Sequence, residues 1–476
     1  MELHAIILCG EGKALSPLSR ARLTGTPKAL LPIANVPMIE YVLEWCERAY
    51  FPKITVISDE ISGEPIQKAI DAYRDKSLVK SVINQNEQAS TDSIFDYSPN
   101  ILLLTFDSHY SGEIISFLSK SQELRPDQDF VLLPCDFITN LPPQVLIEAY
   151  RNRSDTDLGL VVHYRNQLEI EDRKSKIFPK NFTVYSELSE DNPSLLDIFM
   201  PEDIKYHKSL QIRTQLCWRY FNSIVTTKLL NGGIFFGSSK IFKIFEENQD
   251  QFSETYFERP ILKVIRDLAR RSWKHSVKKE TIGLMIVPQQ ATFFRSNNLP
   301  VLMEANRYFM KLEAASKAQL QSSQVKDKFG ANVGVDSLVG EHSQLGEKTN
   351  VKRTVIGSNC NIGKRVRLTG CLILNGVTIH DDVQLENCII GNNAIIHSKA
   401  KLINCNVEST NEIAKGTQAK GDTLLCLSLE GLVEDIVIGD STSESDSESL
   451  TGSEDSLTEN DFIDEFEDND DGLFGH

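Results

Sequence analysis

Residues 3–43 have the sequence LHAIILCGEGKALSPLSRARLTGTPKALLPIANVPMIEYVL. The opening apolar run ends in a small residue and a glycine, which predicts a buried strand that leads into a tight turn. The run that begins at Pro37 has apolar residues at helical spacing, which predicts a helix. The loop between them contains four residues suited to holding a phosphate group: Gly10, Gly12, Lys13 and Lys28. Backbone N–H groups in a glycine-containing turn can converge on phosphate, and a lysine can neutralise its charge.

This stretch resembles the amino terminus of the sugar-phosphate nucleotidyltransferases. Their usual pattern is GGxGTRL, then PKPLLPV, then a helix that begins Pro-Met-Ile. The second half of the pattern is well matched by PKALLPI at 27–33 and by the Pro-Met-Ile at 37–39.

The first half of the pattern is altered where the phosphates would bind. Cys9 replaces the first glycine, Lys13 stands in place of the threonine, and Ala14 stands in place of the arginine that grips the triphosphate. Glu11 adds a negative charge in the same loop. The resemblance therefore implies a nucleotidyltransferase fold that has lost its phosphate grip.

Strands and helices alternate along the first part of the chain. Two β-branched runs, at 53–58 and 79–84, lie on either side of a helical pattern at 64–75, and a further helix is predicted at 112–120. Such alternation is typical of a mostly parallel sheet with crossover helices. The expected fold is an α/β, Rossmann-like nucleotidyltransferase domain over residues 1–312.

The segment DFVLLPCDF at 129–137 predicts an apolar strand that ends at Cys135 and Asp136. It resembles the second signature of the nucleotidyltransferases, in which the aspartate binds magnesium and a glycine takes the place of the cysteine. A helix or turn cap beside Thr139 and Asn140 is the alternative role of Asp136. Magnesium–phosphate chemistry needs partner carboxylates that the sequence does not reveal, so both roles stay open.

KLLNGGIFFGSSKIFKIF at 228–245 predicts a strand with a glycine turn, followed by a helix. In active members of the resembled family this turn lies near the sugar. We favour a glycine pair that permits close backbone approach in a buried strand. The polar segment 165–205 is expected to be an insertion at the rim, 210–222 an edge hairpin, and 313–330 a linker.

Residues 331–425 contain a hexapeptide repeat. Three sets of apolar residues recur at intervals of 17: Val339, Ile356, Ile373, Ile390 and Val407; Leu345, Ile362, Ile379, Ile396 and Ile413; and Val351, Leu368, Leu385 and Leu402. Within one turn the steps are six, six and five residues. This pattern predicts a three-sided parallel β-helix, and resemblance to hexapeptide-repeat proteins implies a left-handed coil.

A set of cysteines and a pair of histidines recur at the same interval of 17 residues. Cys371, Cys388 and Cys405 are predicted to stack as small inward residues, one per coil, because ligands in one flat row do not surround a metal ion. His380 and His397 are also 17 apart. Hexapeptide acyltransferases use a histidine at a coil corner, but a solvated corner is expected here in the absence of a recognisable acyl-carrier pocket.

Composition indicates a cytosolic protein. The nine cysteines are dispersed without a CxxC pair, which favours reduced thiols over disulfides or zinc. No apolar run reaches membrane-spanning length and no secretory signal is recognised, so no membrane association is expected. Of the 67 acidic residues, 18 follow Lys420, and the remaining 49 balance the 50 basic residues. This near-neutral body gives no indication of nucleic-acid binding.

The segment 441–476 is acidic and too poor in apolar residues to bury a core, so it is expected to be disordered. Ser443, Ser445 and Ser453 precede acidic residues and are candidates for phosphorylation. The run FIDEFEDNDDGLF is either a docking peptide for a basic, apolar-lined partner or part of a solubilising tail, and the sequence does not distinguish the two.

Three families combine a nucleotidyltransferase-like domain with a left-handed β-helix. They are the bacterial-type nucleotidyltransferases, the mannose-1-phosphate guanylyltransferases with their non-catalytic partners, and the γ and ε subunits of eukaryotic translation initiation factor 2B. Residues 26–46, 131–146 and 226–236 resemble the γ subunits in their fungal form, and the resemblance covers about residues 1–420. The ε subunits carry a large helical domain after the β-helix, where this chain has an acidic tail.

The resemblance implies a non-catalytic scaffold and substrate-binding subunit of the factor that exchanges GDP for GTP on translation initiation factor 2. Its partners would be the ε subunit directly, the α, β and δ subunits of the same factor, and initiation factor 2 as substrate. No cofactor is expected apart from residual GTP and Mg²⁺ binding at the vestigial pocket of Gly10, Gly12, Lys13, Lys28 and Asp136. The alternative is a sugar-phosphate nucleotidyltransferase, similar to mannose-1-phosphate guanylyltransferase, or its regulatory subunit.

Overall fold

The central strand of the main sheet, β1, spans His4–Leu8. Ala5, Ile6 and Ile7 are fully buried, as an uninterrupted apolar run requires when helices cover both faces of a sheet. The computed structural model describes residues 3–87, 100–121, 127–168, 177–178, 181–187, 193–248, 252–276, 279–319 and 332–426. All of them belong to one compact unit, Met1–Cys426.

The α/β part of the chain continues through the following elements. The first group is β2 Pro32–Ile33, β3 Val36–Pro37, α1 Met38–Arg48, β4 Lys53–Ser58, α2 Glu60–Glu87, β5 Asn100–Thr105, α3 Glu113–Lys120, β6 Phe130–Pro134, β7 Phe137–Thr139, α4 Pro143–Arg151 and β8 Asp157–Arg165. The second group is β9 Phe182–Ser186, β10 Ser194–Phe199, α5 Pro201–His207, α6 Thr214–Arg219, β11 Ser223–Thr226, β12 Leu229–Gly237, α7 Lys240–Glu247, α8 Ile261–Lys274, β13 Thr281–Ile286, β14 Phe293–Arg295 and α9 Leu299–Gln319.

Ten strands form the main sheet in the order β11-β9-β10-β13-β8-β12-β6-β1-β4-β5. The four strands from β6 to β5 are parallel, and β12 joins them to a mixed half through antiparallel pairs with β6 and β8. Helices α1, α2 and α4 pack on one face, and α3, α7 and α8 pack on the other. The predicted α/β fold is confirmed, with mixed pairing beyond β12.

The prediction of a strand at 79–84 is wrong, because these residues continue helix α2 to Glu87. The apolar residues Leu78, Val79, Val82 and Ile83 follow a spacing of one, three and one, which is helical rather than alternating. Strand β5, further along the chain, pairs with β4 instead.

Other sequence expectations need correction between β8 and the β-helix. Within the segment 165–205, the described strands β9 and β10 are internal strands of the sheet, so the expected position at the rim is wrong for these two strands. That the segment is an insertion stays a prediction. The segment 210–222 contains helix α6 instead of a hairpin. Helix α9 extends through residue 319, so the linker prediction is wrong for 313–319, and 320–330 lie outside the described residues.

The hexapeptide repeats form a three-sided parallel β-helix from Asn332 to Leu424. Its first side is β15 Asn332–Val333, β18 Asn350–Lys352, β21 Arg367–Thr369, β24 Gln384–Glu386, β27 Lys401–Ile403 and β30 Gln418–Lys420. Its second side is β16 Leu338–Val339, β19 Val355–Ile356, β22 Leu372–Ile373, β25 Ile389–Ile390, β28 Asn406–Val407 and β31 Thr423–Leu424. Its third side is β17 Gln344–Leu345, β20 Asn361–Ile362, β23 Thr378–Ile379, β26 Ile395–Ile396 and β29 Glu412–Ile413.

The predicted ladders are confirmed residue by residue. Ile356 pairs with Ile373, and Ile373 pairs with Ile390, in parallel register. These side chains are fully buried inside the coil. Among the described helices, none is long and apolar enough to cross a membrane.

One side of the β-helix also turns apolar residues outward. Leu338, Val355, Leu372 and Ile389 are buried in a cluster with residues of the α/β part, including Leu15, Leu18, Leu31, Ile33 and Val301. The second side of the coil is therefore covered by the α/β part.

Neighbouring residues of β26 allow a matched test of the coil interior. Ile396 is fully buried, whereas Ile395 is 36% exposed. Ile396→Ala should lower the free energy of unfolding by about 2–5 kcal/mol, since it leaves a cavity in a closely packed coil. Ile395→Ala should cost much less. Urea unfolding followed by circular dichroism measures both, and equal losses would contradict the assigned facing of the two residues.

Candidate functional site

A buried carboxylate, that of Asp136, lies just beyond the carboxyl end of β6 between two cations. Lys28 Nζ donates to Asp136 Oδ2 at 2.6 Å. Arg295 Nε donates to Oδ1 at 2.9 Å, and Arg295 Nη2 donates to Oδ2 at 3.1 Å. Both carboxylate oxygens therefore accept charge-assisted hydrogen bonds.

These contacts determine the charge state of Asp136. Burial alone would raise the pKa of this carboxyl, but the charges and hydrogen bonds of Arg295 and Lys28 outweigh burial and lower it well below its usual range. Asp136 is therefore ionised at neutral pH, as a counter-ion to two partly buried cations. The cluster of Lys28, Asp136 and Arg295 keeps one net positive charge.

Two glycines make room for the two cations. Gly12 has a φ of +77°, and a Cβ atom there would lie 3.0 Å from Lys28 Cβ. Gly233, in the glycine turn of β12, has a φ of +71°, and a Cβ atom there would lie 2.7 Å from Arg295 Nη1. The favoured interpretation of the NGG turn, close backbone approach, is confirmed at Gly232, where a Cβ atom would lie 2.8 Å from the Val162 carbonyl oxygen. At Gly233 the group that approaches is the Arg295 side chain.

Strand pairing brings Arg295 next to Asp136. Arg295 lies in β14, which pairs antiparallel with β7 so that Arg295 is opposite Phe137. The Ser296 N–H donates to the Asp136 carbonyl at 2.8 Å. Thr139, rather than Asp136, acts as the local cap, because its hydroxyl accepts the Leu141 N–H at 3.0 Å.

The other predicted phosphate-binding residues do not join this cluster. The Lys13 side chain is exposed, and its Nζ lies 3.6 Å from Glu11 Oε2. Gly10 has open space around it, with no atom within 4 Å of the position a Cβ would take. The structure therefore brings together Gly12, Lys28 and Asp136 and leaves Lys13 at the surface.

The donor set does not suit magnesium. Across the described ranges, no group of three or more His, Cys, Asp or Glu side chains could hold a metal ion. Magnesium sites are built from carboxylate and water oxygens, and a metal at Asp136 would have to displace Lys28 and Arg295. The expected magnesium role of Asp136 is not supported by its surroundings.

The two thiols beside this cluster differ: the hydrogen bond from Cys9 lowers the pKa of the Cys135 thiol, whereas Cys9 is held in its protonated form. Cys9 and Cys135 follow the paired strands β1 and β6 and form a side-chain hydrogen bond. That bond and burial raise the pKa of the Cys9 thiol well above its usual value. Cys9 is therefore protonated at neutral pH and has little nucleophilic character.

The loop that follows Gly12 is attached to the β-helix by a buried ion pair. Arg22 Nε donates to Glu408 Oε1 at 2.6 Å, and Thr24 Oγ1 donates to the same oxygen at 3.0 Å. The Cys426 N–H donates to Glu408 Oε2 at 2.6 Å. Glu408 is 2% exposed, so these three donors take the place of water around its carboxylate.

Sequence reasoning missed Arg295, Arg22 and Glu408. Arg295 had one available signal, because it ends a short apolar run, ATFFR, in the way that functional residues end strands in α/β folds. Glu408 had a weaker signal, because it directly follows the inward Val407, at a position where three other coils have Gly340, Gly357 and Gly391. Nothing in the local sequence of Arg22 indicates its partner.

The stacked residues of the β-helix are structural. Cys371, Cys388 and Cys405 are buried, and each thiol donates to the carbonyl oxygen two residues earlier, at 3.2–3.4 Å. The rings of His380 and His397 stack with centroids 5.0 Å apart, and His380 is exposed, as expected for a solvated corner. The tail predictions, including Ser443, Ser445 and Ser453, lie outside the described residues.

Comparison with known proteins agrees with this architecture. A family model described as nucleotidyl transferase matches residues 4–169, and one described as EIF2B subunit epsilon LbH domain matches residues 317–419. The translation initiation factor eIF2B subunit gamma of Schizosaccharomyces pombe is 24% identical over 370 residues, which are 74% of each chain. The chain is a homologue of the eIF2B γ subunit. The β-helix of this homologue is of the left-handed type named in the second family model.

Two further likenesses are more limited. The bifunctional protein GlmU of Methanococcus maripaludis is 33% identical over 86 residues, 18% of this chain and 19% of that protein. A solved structure from Bacillus anthracis, assigned as a glucose-1-phosphate thymidylyltransferase and in complex with sucrose, has 15% identity and a TM-score of 0.41. That likeness covers 64% of this chain and 94% of the other.

Replacing Asp136 with asparagine tests the ion cluster. Asp136→Asn should remove about 3 kcal/mol of stability at pH 7, because two partly buried cations lose their counter-ion. The folded-state pKa of Asp136 is lowered, so its stabilisation is complete above the unfolded pKa of about 4 and is lost as the pH falls further. The difference between wild type and variant should therefore narrow below about pH 4.

Urea unfolding at a series of pH values measures this difference. Asp382→Asn is the matched control, because Asp382 pairs with Arg365 on the exposed surface of the β-helix and should contribute little. A pH-independent difference for Asp136→Asn would show that Asp136 is not an ionised counter-ion.

Proposed function

We propose that this chain is a non-catalytic scaffold and substrate-binding subunit of the guanine-nucleotide exchange factor that acts on translation initiation factor 2, working together with the ε subunit. The observation that carries the proposal is the closed cluster of Lys28, Asp136 and Arg295. Homology to the eIF2B γ subunit supports it.

The cluster argues against nucleotidyl transfer on physical grounds. Phosphoryl-transfer enzymes direct cations and Mg²⁺ at the charge that develops on the phosphates. In this chain both cations donate to a carboxylate of the protein itself, and Ala14 takes the place of the family arginine. Productive nucleotide binding would have to break buried ion pairs without the residue that grips the triphosphate.

The proposed partners are those of the homologous complex. The ε subunit would bind directly, the α, β and δ subunits would join the same cytosolic assembly, and initiation factor 2 would be the substrate. The match of the β-helix to the epsilon LbH family model supports membership of such an assembly.

Nucleotide binding without turnover is a second candidate. It is favoured by the net positive charge of the cluster and by the open space around Gly10. Asp136 would not ligate a metal for it, since both of its oxygens already accept hydrogen bonds from Lys28 and Arg295.

Activity and binding assays distinguish these functions. With GTP and mannose 1-phosphate, the purified chain should release no pyrophosphate above a protein-free blank, whereas an active mannose-1-phosphate guanylyltransferase in parallel should release it. Calorimetric titration with GTP, with and without Mg²⁺, tests for retained binding. Turnover that disappears in Asp136→Asn would replace the scaffold proposal with the enzyme alternative.

Affinity purification of the tagged chain from native cell extract tests the proposed assembly. We expect recovery of a larger nucleotidyltransferase-like chain with a helical carboxyl-terminal domain, together with initiation factor 2. Mass spectrometry of the eluate identifies both. Recovery of the chain alone, or with sugar-nucleotide enzymes only, would reject the exchange-factor proposal.

A further inference from the structure

Four apolar side chains are exposed within the short segment 218–225, which leads into and includes part of β11, the strand at one edge of the main sheet. Trp218 is 84% exposed, Phe221 80%, Ile224 38% and Val225 40%. We call these four residues the β11 patch, after the strand that carries two of them. Exposed apolar groups that cluster in this way mark interaction sites in soluble proteins, and aromatic residues dominate the energy of such sites.

Helix α6, which carries Trp218 and ends two residues before Phe221, is firmly anchored. Leu216 and Tyr220 are buried with Val184 and Trp273 in a small core. The Arg219 guanidinium donates to the Ser272 carbonyl at 2.9 Å and to the His275 carbonyl at 2.5 Å. Trp218 and Phe221 are therefore held outward by a fixed element, which lowers the entropy lost on binding.

Strand β11 is also an unprotected sheet edge. It pairs with β9 on one side, and in the part of the chain that the structure describes no strand pairs with its other side. Soluble proteins usually protect such an edge with a charged residue or a proline. The sequence of β11, SIVT, has neither.

The surroundings of the β11 patch are cationic. From residue 204 to residue 245 the chain contains no aspartate or glutamate. Arg213 precedes α6, and Lys228 follows β11. Burial and then the charges of nearby cations, Lys279 first, lower the pKa of His275, whose carbonyl Arg219 contacts. Glu187, next to the end of β9, is an acidic exception.

This charge distribution decides what can bind. A second copy of the chain, paired edge to edge, would place two surfaces of the same cationic character against each other, and like charges across an interface are unfavourable. A segment with the opposite charge gains from the same arrangement. We propose that the β11 patch binds an extended acidic segment of a separate polypeptide, which adds as a strand to β11 and packs apolar side chains on Trp218 and Phe221.

The inference stands independently of the proposed exchange-factor role and is tested without it. The probe is a displayed library of random peptides roughly 12 residues long, enough for one strand and its flanks. It is selected on the full-length chain and, in parallel, on the double variant Trp218→Ala/Phe221→Ala. Ile61→Ala, which removes a side chain 65% exposed in α2, is the matched control.

We expect peptides that are enriched on wild type and on Ile61→Ala but not on the double variant, with an excess of acidic over basic residues and alternating apolar positions. A synthetic peptide of an enriched sequence should bind about tenfold more weakly to the double variant by fluorescence anisotropy. Its affinity should also fall between about 50 mM and about 500 mM NaCl. Unchanged thermal unfolding of the double variant confirms that it folds.

Three results would overturn the proposal. The first is an absence of peptides that distinguish wild type from the double variant. The second is enrichment of basic or uncharged peptides. The third is sedimentation equilibrium that shows a wild-type dimer and a monomeric double variant, because that result assigns the β11 patch to a second copy of the chain.

Discussion

The row of apolar side chains that points outward from the β-helix, Leu338, Val355, Leu372 and Ile389, joins the two parts of this structure. An outward position on a hexapeptide coil meets water unless another element covers it, so four in a row require a covering surface. That surface consists of Leu15, Leu18, Leu31 and Ile33 from the amino-terminal loop region and of Val301, Leu302 and Ala305 from α9. Each part buries apolar surface that the other would leave exposed, which fixes their relative orientation.

This packing changes what the amino-terminal loop does. Asn392 Nδ2 donates to Thr26 Oγ1 at 2.7 Å, and Asn35 Nδ2 donates to the Ile356 carbonyl at 2.9 Å. Together with the ion pair of Arg22 and Glu408, these bonds attach the segment that resembles a phosphate-binding loop to the β-helix. Lys28 is a counter-ion of Asp136, which gives it a structural role, so its presence alone does not indicate catalysis.

Contacts that repeat at a fixed sequence interval could be predicted, whereas contacts between distant segments could not. Each ladder contact of the β-helix, such as that of Ile356 with Ile373, joins two residues that are 17 apart in the sequence. Asp136 and Arg295 are 159 residues apart, and Arg22 and Glu408 are 386 apart, so no local spacing relates them. The outward row was visible in the sequence, since Leu338, Val355, Leu372 and Ile389 each precede an inward residue. Two adjacent apolar positions per coil indicate a side that is buried on both faces.

Binding at the β11 edge is energetically favoured over binding of a nucleotide in the pocket of Lys28, Asp136 and Arg295. A nucleotide that entered the pocket would have to separate Asp136 from Lys28 or Arg295, and breaking a buried ion pair leaves an uncompensated charge. A strand that added to β11 would bury Trp218 and Phe221 and satisfy the backbone groups of a free edge, without breaking any contact described there. The chain keeps a nucleotidyltransferase framework whose pocket is closed by its own charges. Its exposed apolar groups, Trp218 and Phe221, lie beside the opposite half of the sheet, where a bound strand would not disturb the ion pairs of Asp136.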